Sequence, residues 1–112
     1  MALTAKLEIT NQVAKITLTG RLDASTAGQF RELIENAATQ KVKAVALLLA
    51  DLEYMASAGL RVIVFARQKM GAAVRLYVVA PSDLVRETIE VSGFSQAVTM
   101  LPAYDAAAIE GR

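Results

Sequence analysis

The sequence predicts an α/β sandwich: a small mixed, mostly parallel sheet with about four helices. Three observations carry this. The N-terminal residues alternate apolar and polar side chains, residues 44–50 and 74–79 are apolar without interruption, and the segments between carry apolar residues at helical spacing. Alternation marks a strand wet on one face, and an unbroken apolar run marks one covered on both. Strands separated by helices need crossover connections, and therefore pair in parallel.

The elements follow in order. Over residues 6–19, Leu7 and Ile9, then Ala14, Ile16 and Leu18, share one face with Lys15, Thr17 and Thr19 opposite, giving a half-buried hairpin that turns at Asn11-Gln12. Residues 20–28 are polar and contain the helix-start residues Asp23, Ser25 and Thr26. Ala27, Phe30, Leu33, Ile34 and Ala37 then recur at helical spacing, so an amphipathic helix is expected to end near Gln40. Residues 44–50 form a buried strand. Residues 60–65 are rich in β-branched side chains and, taken alone, suggest another. The span 58–70 is too long for a strand, follows a capping residue and stops at Gly71, so a helix is expected. On it Leu60, Ile63, Val64 and Met70 form one apolar stripe, and Ala58, Val62 and Phe65 a second. A strand over residues 74–79 comes next. Pro81-Ser82-Asp83 opens a helix capped by Ser82, with Leu84, Val85, Thr88, Ile89 and Val91 inward and Gly93 as its stop. Residues 98–101 make a short edge strand halted by Pro102, and residues 105–109 a terminal helix.

Composition excludes whole classes of function. The chain has 112 residues, 54% hydrophobic, with two prolines and six glycines, enough for one domain over residues 1–112 and not two. Twelve Lys and Arg against eleven Asp and Glu leave a net charge of +1, and the basic residues are scattered, which gives nucleic acid and anionic membrane no support as partners. There is no cysteine and no histidine. Disulfides, thiolate metal sites, cysteine nucleophiles and the usual general base are therefore out of reach, so neither a catalytic site nor a metal or cofactor is expected. Lys6 and Glu8 bring charge in too early for a signal peptide, and no apolar run is long enough to cross a bilayer. Cytoplasmic residence is the expectation.

One hydroxyl stands apart. Ser57 is the only hydroxyl residue between Met55 and Gly59, at the junction where the buried strand is expected to hand over to a helix. Serine there would cap the helix, and a phosphate on it would be stabilised by the free N–H groups and the positive end of the helix dipole.

Residues 51–64, with Gly20-Arg-Leu-Asp-Ala-Ser-Thr-Ala27 upstream and Glu90-Val-Ser-Gly-Phe94 downstream, resemble a stand-alone STAS domain of the bacterial anti-sigma factor antagonist type. The likeness spans nearly the whole chain. It rests on the order of elements, the Gly-x-Leu-Asp motif, the Ser-x-Gly-Leu switch segment and the Ser-Gly-Phe turn. The resemblance implies partner switching: the unmodified protein binds an anti-sigma factor that is also its serine kinase, phosphorylation breaks the complex, and a serine phosphatase restores it. Ser57 is then the phosphorylated residue, with Arg21, Asp23, Ala56, Ala58, Gly59, Val62 and Phe65 around it. The sequence departs from the family at Ala56, where many members carry a polar residue.

Each residue also has a plainer role. Ser57 is a helix cap worth about 1 kcal/mol, and Asp23 either caps the turn or meets a partner. Gly59 is either an ordinary first-turn glycine or a clearing for an approaching kinase. Val62 and Phe65 are either core or exposed anchors. Two rival functions remain: a constitutive subunit on the ATPase of a lipid-transport ABC complex, in which the serine is structural, and a non-switching small-molecule sensor.

Overall fold

The computed structural model describes residues 2–111; Met1, at the head of the segment tested for a signal peptide, and Arg112 lie outside it. Strands β1 (Leu3–Thr10) and β2 (Val13–Leu22) pair antiparallel with Thr10 opposite Val13. Asn11 and Gln12 turn the chain, both with positive φ (52° and 63°), as a two-residue hairpin matched to strand twist requires. The remaining strands are β3 (Ala44–Leu48), β4 (Leu52–Met55), β5 (Arg75–Val79) and β6 (Thr99–Leu101). The sheet order is β1-β2-β3-β5-β6, and every pair after the hairpin is parallel. The crossovers carry helices α1 (Ala27–Ala38), α2 (Ser57–Met70) and α3 (Asp83–Val91), with a short α4 (Ala106–Ile109) at the end.

The expected mixed sheet with four helices is therefore the fold observed, but one strand escaped the sequence. β4 was not expected: the strand anticipated over residues 44–50 ends at Leu48, and a second four-residue strand follows it. β2 accommodates both by changing partner along its length. Its first half pairs with β3; past an irregularity at Gly20/Arg21 its last residues pair with β4. Gly20 makes the change possible, with φ 104° and no room for a side chain, since a Cβ would lie 2.5 Å from the Ala2 carbonyl oxygen. Residues 20–22, expected to open a polar loop, are thus strand.

The main core lies between the sheet and α1, α2 and α3. Ile16, Leu18, Val45, Leu47 and Val78 meet Phe30 and Ile34 of α1, Ile63 and Ala66 of α2, and Val85 and Ile89 of α3. The β-branched run at residues 60–65 is helical because tertiary packing on two neighbours outweighs a strand preference of at most about 1 kcal/mol. Helix α3 is capped as expected, the Val85 amide donating to Ser82 Oγ at 3.2 Å. Its inward face is narrower than expected. Leu84 and Val91 are 54% and 82% exposed, leaving Val85 and Ile89 as its buried residues.

The other face of the sheet is closed by the C-terminal segment. Ile109 covers Val13, Ala44, Ala46, Tyr77 and Val79. Glu110 fastens it: Asn11 Nδ2 donates to Oε1 at 2.6 Å, Tyr104 OH donates to Oε2 at 2.5 Å, and Lys15 Nζ lies 3.3 Å from Oε2. Lys43 Nζ donates to the Glu110 carbonyl at 2.5 Å. No helix among the described residues is long and apolar enough to cross a membrane.

Candidate functional site

The site is built by two parallel strand ends. Leu22 of β2 stands opposite Met55 of β4, and the Ala56 amide donates to the Leu22 carbonyl at 2.8 Å. The chain leaving β2 towards Asp23 and the chain leaving β4 towards Ser57 therefore emerge side by side. Two segments 34 residues apart in sequence share one end of the sheet, as ligand and partner loops of open parallel sheets generally do.

The Asp23 loop is held by its own side chains. Asp23 Oδ1 accepts from the Ser25 amide at 2.9 Å and the Ser25 hydroxyl at 2.7 Å. Buried Thr26 accepts from the Asp23 amide at 2.9 Å and donates to the Arg21 carbonyl at 2.9 Å. Thr26 sits at the N-cap of α1 without capping it, because its hydroxyl is committed backwards to the turn. The Ser25 hydroxyl is the main cause that holds the Asp23 carboxyl below its ordinary range. The result is a fixed, ionised carboxylate at the mouth of the site.

Ser57 does not cap α2. Ala56 occupies the N-cap, extended at φ −90° and ψ 173°, and its carbonyl accepts from the Gly59 and Leu60 amides at 2.9 and 3.3 Å. Because the hydrogen bond to Leu22 keeps Ala56 in strand geometry, the helix begins one residue earlier than a Ser57 cap requires. Ser57 is its first residue, exposed, with no side-chain hydrogen bond among the described residues. The hydroxyl is exposed and not consumed by the fold.

The neighbours predicted from sequence separate into outward and inward sets. Arg21 is half-buried, its guanidinium 4.3 Å over the ring of Tyr54, its partner on β4. Ala56 and Ala58 are partly exposed beside Ser57. Gly59 is buried, and a Cβ there would fall 2.6 Å from Leu22 Cδ2 and 3.0 Å from Met55 Cγ. The glycine clears room for the core beneath the site. Val62, at 6% exposure, is likewise internal. Phe65 is partly buried against the core, with the Arg31 guanidinium 4.1 Å over its ring. The second apolar stripe thus has a structural cause that the sequence did not show: α1 packs alongside α2 and covers part of it.

Arg61 was missed. It is exposed, four residues after Ser57, and shares a shallow notch between α1 and α2 with Arg31, Ala58 and Val62. Its i, i+4 spacing from the serine was the available signal. Chemically, the site offers an exposed hydroxyl, a fixed carboxylate and flanking guanidinium groups. Among the described residues there is no group of three or more acidic side chains that could hold a metal.

The STAS domain family model matches residues 4–107. The anti-sigma-F factor antagonist RsfB of Mycobacterium tuberculosis is 28% identical over 86 residues, which is 77% of this chain and 70% of that protein. An anti-sigma factor antagonist from Mycobacterium paratuberculosis has a similar structure, with a TM-score of 0.87 at 24% identity, covering 96% of this chain and 94% of the other. The anti-sigma factor antagonist SpoIIAA in its unphosphorylated form has a TM-score of 0.80 at 25% identity, over 96% and 95% of the two chains. Its phosphorylated form, the Bacillus cell fate determinant, has a TM-score of 0.72 at 24% identity, over 96% and 98%.

Proposed function

The chain belongs to the STAS-domain family, and from that premise we propose that it is an anti-sigma factor antagonist working by partner switching. Unmodified, this cytoplasmic STAS domain binds an anti-sigma factor that is also a serine kinase; that enzyme phosphorylates Ser57 and the complex dissociates. A serine phosphatase returns it to the binding state. The observation that carries the proposal is the position of Ser57, exposed at the first turn of α2 with its hydroxyl unused. SpoIIAA, of similar structure, is described in unphosphorylated and phosphorylated forms. The protein acts by association and is a substrate of enzymes, not itself an enzyme.

Ser57, Ala58, Asp23, Arg21 and the exposed part of Phe65 supply the binding surface, with Gly59 and Val62 supporting it from below. A phosphate adds about −1.5 to −2 charges at pH 7. That charge opposes docking through repulsion and desolvation and leaves the fold standing. Incubation with a cognate anti-sigma kinase and ATP, followed by intact-protein mass spectrometry, tests this. One phosphate is expected on the wild type and none on Ser57→Ala; equal modification of both overturns the assignment.

A further inference from the structure

We infer that Arg61 is the internal counter-charge of the switch, pairing with a phosphate on Ser57 and so fixing the modified state. The inference rests on the reading of Ser57 as a modified residue. Both residues lie on α2, four positions apart, which in a helix leaves about 5–6 Å between their Cβ atoms. Helical side chains lean toward the N-terminus, and a long one extends over the turn before its own, so Arg61 can reach the turn that Ser57 opens. A planar guanidinium fork matches phosphate oxygens two at a time.

The two arginines nearest the site and the other arginine of α2 are engaged. Arg21 stacks on Tyr54, and Arg31 stacks on Phe65 with Nε 3.8 Å from Glu35 Oε2. Arg67 donates to the carbonyls of Gly71, Val74 and Ala97. Arg61 is exposed and has no hydrogen-bond, ion-pair or stacking partner among the described residues. No acidic residue stands in the first turn of α2 to compete for it. The charged groups flanking the phosphate would be Arg61 and Arg31 in the notch and Asp23 on the neighbouring loop. The pair would hold the added charge against the helix that carries it, and a phosphatase would have to open the pair before cleaving the ester.

The test needs no kinase. Phosphoserine is placed at position 57 during translation and its second ionisation is followed by phosphorus NMR in the wild type, Arg61→Gln, Arg61→Lys and Arg31→Gln. The phosphate of Arg61→Gln should titrate about half a unit higher than that of the wild type, roughly a threefold change in proton affinity. Arg61→Lys should keep part of the effect, and Arg31→Gln should stay close to wild type. Identical titration of wild type and Arg61→Gln overturns the pair, as does an equal displacement by Arg31→Gln, which would mean a general basic field. The mass-spectrometric test of kinase modification is separate, so failure of the proposed function and failure of the pair are told apart.

Discussion

The Ala56 amide donates to the Leu22 carbonyl at 2.8 Å, and this one bond ties the end of β4 to the end of β2 immediately before both chains enter the site. It sets the register of the switch segment, and the packing directly below depends on it. Leu22 is fully buried and lies over Gly59.

Gly59→Ala should therefore destabilise the protein although it places a better helix former in a helix. The gain in helix propensity is about 1 kcal/mol, and the added methyl would stand 2.6 Å from Leu22 Cδ2. Overpacking of this kind costs about 1–3 kcal/mol, so a net loss of about 1 kcal/mol is expected in urea denaturation. In a Leu22→Ala background the same substitution should become neutral or stabilising. Additive losses would show that the two side chains do not meet.

The cap positions give a paired prediction. Ser82 accepts a hydrogen bond from the Val85 amide at 3.2 Å, whereas Ser57 has no such bond. Ser82→Ala should lose about 1 kcal/mol, and Ser57→Ala should stay within about 0.5 kcal/mol of wild type. Two chemical-denaturation curves decide it. An equal loss at Ser57 would make it a structural serine after all and weaken its case as a switch.

What could be read from the sequence, and what could not, follows the range of the interactions. The hairpin, the helices and the long apolar strands each carry a period that repeats within their own span. β4 has four residues, Leu52-Glu-Tyr-Met55, too few to establish alternation, and it exists because β2 has an unpaired end for it to join. The one-residue error at Ser57 has a similar origin. Serine has the right chemistry for a cap, but the cap falls wherever the backbone leaves strand geometry, and the bond between Ala56 and Leu22 decides that. Helix α3 carries Leu84 and Val91 outside the face set by Val85 and Ile89, so apolar content alone overstated its buried side. For Val62 and Phe65, the pattern on α2 could show two stripes but not that α1 lies along one of them.

Phe65 and Arg31 should prove energetically coupled. The ring is partly buried and the guanidinium rests 4.1 Å from its centre. Phe65→Ala should cost about 2 kcal/mol of stability, less than the roughly 3–5 kcal/mol of a fully buried phenylalanine. A double-mutant cycle with Arg31→Ala should return about 0.5–1 kcal/mol of interaction, the range of an exposed cation–π contact. Phe65→Ala should also weaken partner binding, because the proposed binding surface includes its uncovered part. A stability loss at the full core value with unchanged affinity would place Phe65 wholly in the core.

Acid should loosen the C-terminal closure before the main core. The Tyr104 hydroxyl first, then Asn11, then Lys15 hold the Glu110 carboxyl down to about 2, against an ordinary value of 4.5. Tyr104 is raised in turn, mainly by burial and then by its bond to Glu110. For a carboxylate whose folded value is depressed, the stabilisation is complete above the unfolded value and disappears as pH falls through the folded one. The contribution of Glu110 should therefore be intact above about pH 5 and fade from pH 4.5 towards pH 2. The Asp23 carboxyl is also held below its ordinary range, first by the Ser25 hydroxyl, so the informative quantity is the difference between wild type and Glu110→Gln. At pH 7 the variant should melt lower and exchange its amides faster at Ile109, which relies on the bond from its amide to the Asp105 carbonyl at 2.9 Å. As pH falls towards 2 the two melting temperatures should converge. A gap that stays constant across that range would mean that Glu110 holds the terminal helix by shape and neutral hydrogen bonding, and not by its charge.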